Sequence, residues 1–190
     1  MSSEPQYRVA LCRMALRMVR ELPQRDTILA QVPAEYLEAM EGQKSLTWTR
    51  AESLDALNRA ARAELGREGY IDFWTRHRDK VGETTIFGPL AEAARRIFGL
   101  DDPAGQLKWM GRAWQVSTKN LGKLVVEPHA EGFRLEHIDL PPSHRTEEVV
   151  LSTLGAARGI ILGTNHTPDV ELDDTNLADH GRVVIYVRWT

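Results

Sequence analysis

The chain has 190 residues, of which 42% are hydrophobic and 27% charged, with a net charge of −3 and a pI near 6.1. A chain of this length can bury roughly 70% of its unfolded surface in its own core, and the balance of hydrophobicity and charge excludes a disordered polymer. No basic field is present to favour sequence-independent nucleic-acid binding, and a single cysteine, Cys12, excludes both an intrachain disulfide and a thiolate metal cluster.

Arginines run through the apolar N-terminal stretch instead of preceding it, and no small-residue cleavage site follows. The stretch therefore reads as an amphipathic helix that ends before Pro23, with Leu11, Met14, Met18 and Leu22 inward and Arg13, Arg17 and Arg20 on a solvated face. No run reaches the roughly 18 uncharged apolar residues of a membrane span, and a cytoplasmic location is expected. A short helical pattern follows from Ala34 to Met40, closed by Gly42. Thr49 and Glu52 match a capping box, which predicts a helix from there to about Leu65 with Leu54, Leu57 and Ala61 facing inward. Gly66 and Gly69 break or bend it, and beyond them Tyr70, Phe73, Trp74 and His77 share one helical face.

Pro89 opens a further predicted helix that Gly99 ends, and Asp102 followed by Pro103 repeats the start signal for a helix carrying Trp109 and Trp114. The first 118 residues thus read as helix and loop. The character changes at Gly122: KLVVE and FRLEHI are strand-like and joined by a predicted five-residue loop, residues 128–132. Thr146, with Glu147 and Glu148 behind it, caps the next helix. In the last two predicted strands Val170 and Leu172 alternate with Asp169, Glu171 and Asp173, and Val183, Ile185, Val187 and Trp189 alternate with Arg182, Val184, Tyr186 and Arg188, so acids and arginines can face one another on the solvent side. The expected fold is α+β: one domain, residues 1–190, whose N-terminal helical half (about 1–118) packs on a C-terminal antiparallel four-stranded sheet of order β-β-α-β-β (about 119–190) with one buried helix.

That helix contains GAARGIILG, residues 155–163. A phosphate cradle needs its glycines in a loop ahead of a helix N-terminus, whereas these lie in the second half of a capped helix; the run is also too short to cross a membrane. Packing remains. Gly155, Gly159 and Gly163 form a stripe that lets another backbone approach, and apolar residues cover the rest of the helix, which marks it as interior. Arg158 is an unusual resident of such a helix: either it reaches to the edge, or it is a buried cation for an acid or an anionic ligand.

The order of helical half, hairpin, glycine-bearing helix and second hairpin resembles the group that includes haem–NO-binding-like domains, vinyl-4-reductase small-molecule-binding domains and TRAPP-type tethering subunits. The run 109–122, with LPPS at 140–143, STLGAARGIILG at 152–163 and VVIYVRW at 183–189, is more closely similar to an uncharacterised family of about 180–190 residues found mainly in myxobacteria. The resemblance implies a pocket between helices and sheet, used in relatives for haem, aromatic compounds or acyl chains, and often a homodimer. Two departures bear on chemistry. The final strands lack the cysteines with which some relatives hold zinc, and the Tyr-x-Ser-x-Arg element that holds haem propionates has no counterpart. No metal and no cofactor is expected.

None of the six histidines forms a close ligand pair, and neither a nucleophile elbow, a P-loop nor a Cys-x-x-Cys is present. No catalytic residue is assigned. The expected function is a non-enzymatic sensory or regulatory domain whose small, partly apolar ligand meets Phe73, Trp74, His77, Trp114 and Arg158. The alternative is a dimerising scaffold or partner-recruiting protein that uses the glycine helix or a sheet edge.

Overall fold

The structure, a computed structural model, describes residues 4–77, 80, 88, 92, 102–130 and 132–190. The predicted helix opened by Pro89 lies outside the described residues.

Strand β1 (Gln6–Arg8) leads directly into α1 (Val9–Arg20). The inward face of α1 is wider than its heptad-like spacing predicts: Val9, Cys12, Met14, Ala15, Leu16, Met18 and Val19 are all buried, while Leu11 and Leu22 are only half-buried. Its arginines are not simply solvated. Arg13 donates to the Met40 carbonyl (3.0 Å), the Ser45 hydroxyl (3.0 Å) and the carbonyls of Glu41 and Gln43, so it caps the end of α3, and Arg20 pairs with Glu41. Helices α2 (Arg25–Ala30) and α3 (Ala34–Gly42) precede β2 (Trp48–Arg50) and α4 (Ala51–Thr75).

The capping box does not form. Thr49 is extended and pairs with Tyr7 across β1 and β2, so α4 starts two residues later, and the Pro5 carbonyl takes the Ala51 N–H at 3.1 Å in place of a side-chain cap. Leu54, Leu57 and Ala61 are buried as their spacing predicts. Gly66 breaks α4 with φ 71° and ψ 179°, a conformation that glycine adopts without steric cost, and the helix then resumes to Thr75.

Asp102 caps α5 (Pro103–Ser117), its carboxylate accepting the Gly105 N–H at 2.7 Å, with Pro103 in the first turn. Strand β3 (Thr118–Lys119) then joins β1, so the helical half contains a three-stranded antiparallel sheet of order β2-β1-β3 that the sequence reading did not include. Strands of two or three residues carry no readable alternation; distant pairing partners create them.

The second sheet has the order β4-β5-β7-β6, from β4 (Lys123–His129), β5 (Gly132–Ile138), β6 (Pro168–Asp173) and β7 (Val183–Trp189), all antiparallel. The β4–β5 hairpin is tighter than predicted: pairing runs through Pro128↔Phe133 to His129↔Gly132, and Pro128 is tolerated because β4 is an edge strand. Arg188 faces Asp169 and bonds its carboxylate at 2.8 Å, as the alternation predicts. Val184 departs from that alternation. It is buried on the outer face in register with Glu136, a carboxylate covered by Arg134 (2.8 Å) and Arg182. A short α7 (Leu177–His180) links β6 to β7.

Helix α6 (Glu147–Leu162) connects the two hairpins. Thr146 stands at its cap position, but its hydroxyl makes no cap bond; Glu147 instead ties the first turn to Arg62 (2.9 Å) and Arg67 of α4. One face of α6 lies on α4 and another on the sheet. A Cβ on Gly155 would come within 2.6 Å of the Ile71 carbonyl oxygen and 2.8 Å of Trp74 Cβ, and one on Gly159 would run into the Thr75 carbonyl. Gly163 ends the helix, half-exposed. We therefore expect Gly159→Ala to destabilise the protein by about 2–3 kcal/mol in urea unfolding, since the obstructing atoms are backbone. Gly42→Ala, with nothing near the added methyl, should stay within about 0.5 kcal/mol of the parent.

Candidate functional site

The second half of α4 builds an aromatic ladder from residues three and four apart. Tyr70 and Phe73 stack at 6.3 Å, Phe73 meets Trp74 edge-on at 5.6 Å, and Trp74 lies 6.1 Å from the His77 ring. Tyr70 is fully buried and donates to the Glu148 carbonyl (3.3 Å), which joins the ladder to the first turn of α6. His77 is half-buried, with Nδ1 at 3.1 Å from the Trp74 carbonyl.

Trp114 lies elsewhere. Gly111 lets α5 approach β4 until an added Cβ would be 2.9 Å from the Leu124 carbonyl oxygen, and one turn further on the Trp114 ring meets His137 edge-on, centroids 4.6 Å apart. Among the described residues no ring contact links Trp114 to Phe73, Trp74 or His77. Thr153 and Gly155 are two positions apart on α6 and so project from opposite sides, Gly155 toward Trp74 and Thr153 toward His137. Arg158 joins neither group. Its side chain is 38% exposed and pairs with Asp72, itself 57% exposed, at 3.2 Å on the α4–α6 seam.

His137 is the residue that the sequence reading missed as a candidate. It occupies an inward position of a central strand, flanked by Leu124 and Val183, and has no solvent exposure. The signal was its place in the period Phe133, Leu135, His137, which puts an imidazole on the core face. Its Nε2 lies 2.8 Å from the Thr153 hydroxyl, while its Nδ1 has no partner. The indole N–H of Trp114 likewise has no acceptor. Burial alone pulls the His137 pKa from 6.5 down to about 4, so the ring is neutral at pH 7. Burial also pushes the Tyr70 phenol well above its usual range. The surroundings of His137 and Tyr70 thus favour neutral hydrogen-bonding groups.

A second polar group is separate from these. His144 Nε2 lies 2.8 Å from the Asp55 carboxylate and Nδ1 2.9 Å from the Ser143 hydroxyl, with Tyr7 edge-on at 6.3 Å. Cys12 is buried, and burial raises its thiol pKa, so it stays protonated.

No protein-family model matches the chain. No curated protein matches it either. Solved structures do. An oxygen-binding H-NOX domain related to soluble guanylate cyclases, in its oxygen complex, is 12% identical with a TM-score of 0.65, covering 96% of this chain and 95% of that one. A structure on haem redox potential modulated by protein-induced porphyrin distortion is 13% identical, TM-score 0.65, covering 96% and 95%. A mutant of the H-NOX protein from K. algicida, in the Fe(II) unliganded state, is 14% identical, TM-score 0.62, covering 97% and 96%. The α+β architecture is thus that of H-NOX domains.

Among the described residues, His137 and the buried Tyr7, Tyr70 and Cys12 are poor axial ligands for a haem. Every histidine and the single cysteine fall among the described residues. His144 and His166 have side-chain or backbone partners, His129 rests on Tyr186 on the outer face of the sheet, and His180 is exposed. Cys12 and the fully enclosed Tyr7 and Tyr70 are held protonated by burial. On His137 only Nδ1 is unbonded, and that nitrogen lies beside the ring's attachment to the strand, where a porphyrin plane would collide with Leu124 and Val183.

The lowered His137 pKa has a stability consequence. Between pH 6.5 and about 4 the unfolded chain takes up a proton that folded His137 resists, so stability falls as pH drops through that window and is unaffected above it, by up to about 3 kcal/mol. Urea unfolding near pH 7 and near pH 4.5 should show this loss in the parent protein, and His137→Gln should lack the His137 share of it.

Proposed function

We propose that this chain is a non-enzymatic sensory or regulatory domain that binds a small, partly apolar molecule between its helices and its sheet, with no haem. The observation that carries the reading is the pair of unsatisfied polar atoms at His137 and Trp114, enclosed among apolar side chains. The shared architecture supports it, since the H-NOX structures it resembles include an oxygen-binding domain. The proposed site centres on His137 and Trp114, while Phe73, Trp74 and His77 form a separate aromatic group across α6 and Arg158 lies on the α4–α6 seam. On this reading the two halves, about 1–118 and 119–190, act as one cytoplasmic ligand-binding unit, related to the myxobacterial family and, more distantly, to vinyl-4-reductase and TRAPP-type domains. Two measurements test it. Hemin added to the purified protein should give no sharp Soret band at one equivalent, and a thermal-shift screen of small apolar compounds should find ligands that raise Tm in a saturable way. A stoichiometric Soret band, or a screen without any stabilising compound, defeats it.

A second reading, assembly with another copy or a partner protein, rests on the surface near the small sheet. Leu46 is 68% exposed and Val116 41%, and Arg8 draws them together by donating to both their carbonyls while its guanidinium lies 3.8 Å over the Trp48 ring. If that patch makes a homodimer, sedimentation should show a concentration-dependent dimer that Leu46→Glu reverts to monomer; a monomer at all concentrations removes the homodimer.

A further inference from the structure

The rings of His137 and Trp114 meet edge-on, and each carries one buried unsatisfied atom, the two being of opposite kind. The Thr153 hydroxyl donates to the Val149 carbonyl at 3.1 Å, the usual back-bond of a helical threonine, so its oxygen is left to receive the Nε2–H of His137 at 2.8 Å. That assignment makes Nδ1 a bare lone pair without a donor. The Trp114 Nε1–H, on a ring 4.6 Å away, is a donor without an acceptor. His137 is fully buried and Trp114 half-buried. Burial is what lowers the pKa of the imidazole. Leu124 and Val183 flank it on the sheet, and Val149 and Ala157 lie one turn either side of Thr153 on α6.

We propose that this pair is the polar end of the ligand site and selects a small neutral molecule with a hydroxyl on an apolar body, whose oxygen accepts from Trp114 Nε1–H and whose proton is donated to His137 Nδ1. This rests on the ligand-binding reading above and narrows it. A hydroxyl is the smallest group that both accepts and donates at one atom, so it satisfies both orphans at once. An ether can only accept and leaves Nδ1 bare; a carboxylate has no proton to give Nδ1 and carries a charge that is costly to bury. A trapped water would also satisfy both atoms, and it is the competing occupant.

The test uses the full chain and three kinds of probe: cyclohexanol and benzyl alcohol, their methyl ethers, and benzoate. Binding is followed by calorimetry and by the ring ¹⁵N signals of labelled histidine. The alcohols should bind about tenfold or more tightly than the ethers, benzoate should not bind, and the His137 Nδ1 signal should leave its bare-lone-pair position as alcohol is added. Trp114→Phe keeps the ring and removes the donor; with Tm measured to confirm folding, it should weaken alcohol binding and cut the alcohol preference severalfold, and Thr153→Val should alter the Nδ1 and Nε2 signals without abolishing the preference. Ethers that bind as well as alcohols, or a preference that survives Trp114→Phe, overturn the hydroxyl proposal while leaving the ligand-binding reading intact. Binding by none of the probes, together with an Nδ1 signal already hydrogen-bonded in the free protein, identifies a trapped water and overturns the assignment of this pair as a ligand site.

Discussion

The contact on which the rest of this structure depends is the crossing of α6 over α4 at Gly155 and Gly159, where α6 contributes no side chain. Gly155 and Gly159 leave room for the Ile71 and Thr75 carbonyls, and no other residue type fits there without moving backbone. Glycine costs roughly 1 kcal/mol in a helix relative to alanine, so the sequence accepts a weaker helix in return for dispersion contacts along a closely approached pair. The seam is then pinned along its length: Glu147 between Arg62 and Arg67 at one end, the Tyr70 hydroxyl on the Glu148 carbonyl beside it, and Arg158 on Asp72 further along. The ion pairs are partly exposed and individually weak, and they serve mainly to set register.

Fixing α6 on one side determines what it offers on the other. Thr153 and Ala157 are directed away from α4, and the sheet must meet them with its inner face. There β5 presents Phe133, Leu135 and His137, and the only polar one of the three finds the only hydroxyl of α6 that is fully buried. Gly111 performs for α5 and β4 what Gly155 and Gly159 perform for α6 and α4, and it is why Trp114 lies directly on the imidazole. Close backbone approach at two helix surfaces thus yields a closed, neutral and incompletely hydrogen-bonded point in the interior. Interiors rarely leave such atoms unmatched.

The architecture is shared with H-NOX structures at 12–14% identity, so the two have layers in common and few side chains. A fold supplies layers and a place between them; the chemistry follows from which side chains stand there. In this chain aromatic rings line the second half of α4, backbone contact closes the α4–α6 seam at Gly155 and Gly159, and His137, whose Nδ1 has no partner, is buried on a central strand.

Much of the fold was legible in local patterns. Asp102–Pro103 announced α5, the alternation of 183–189 announced β7 and its acid–arginine facing, and the glycine spacing of 155–163 marked a helix without room for side chains on one stripe. These signals are carried by neighbours within one or two turns, or within one strand, so they survive without knowledge of the rest of the chain. The capping box at Thr49 failed because Tyr7, 42 positions away in sequence, took that backbone into a strand, and the small sheet was invisible for the same reason. The candidate site was legible only as pieces. Phe73, Trp74 and His77 could be grouped because one helix carries them, whereas the meeting of His137, Thr153 and Trp114 needs β5, α6 and α5 to converge. Periodicity determines which face a residue is on; only the packing of distant elements decides what that face touches and which buried atoms are left without a partner.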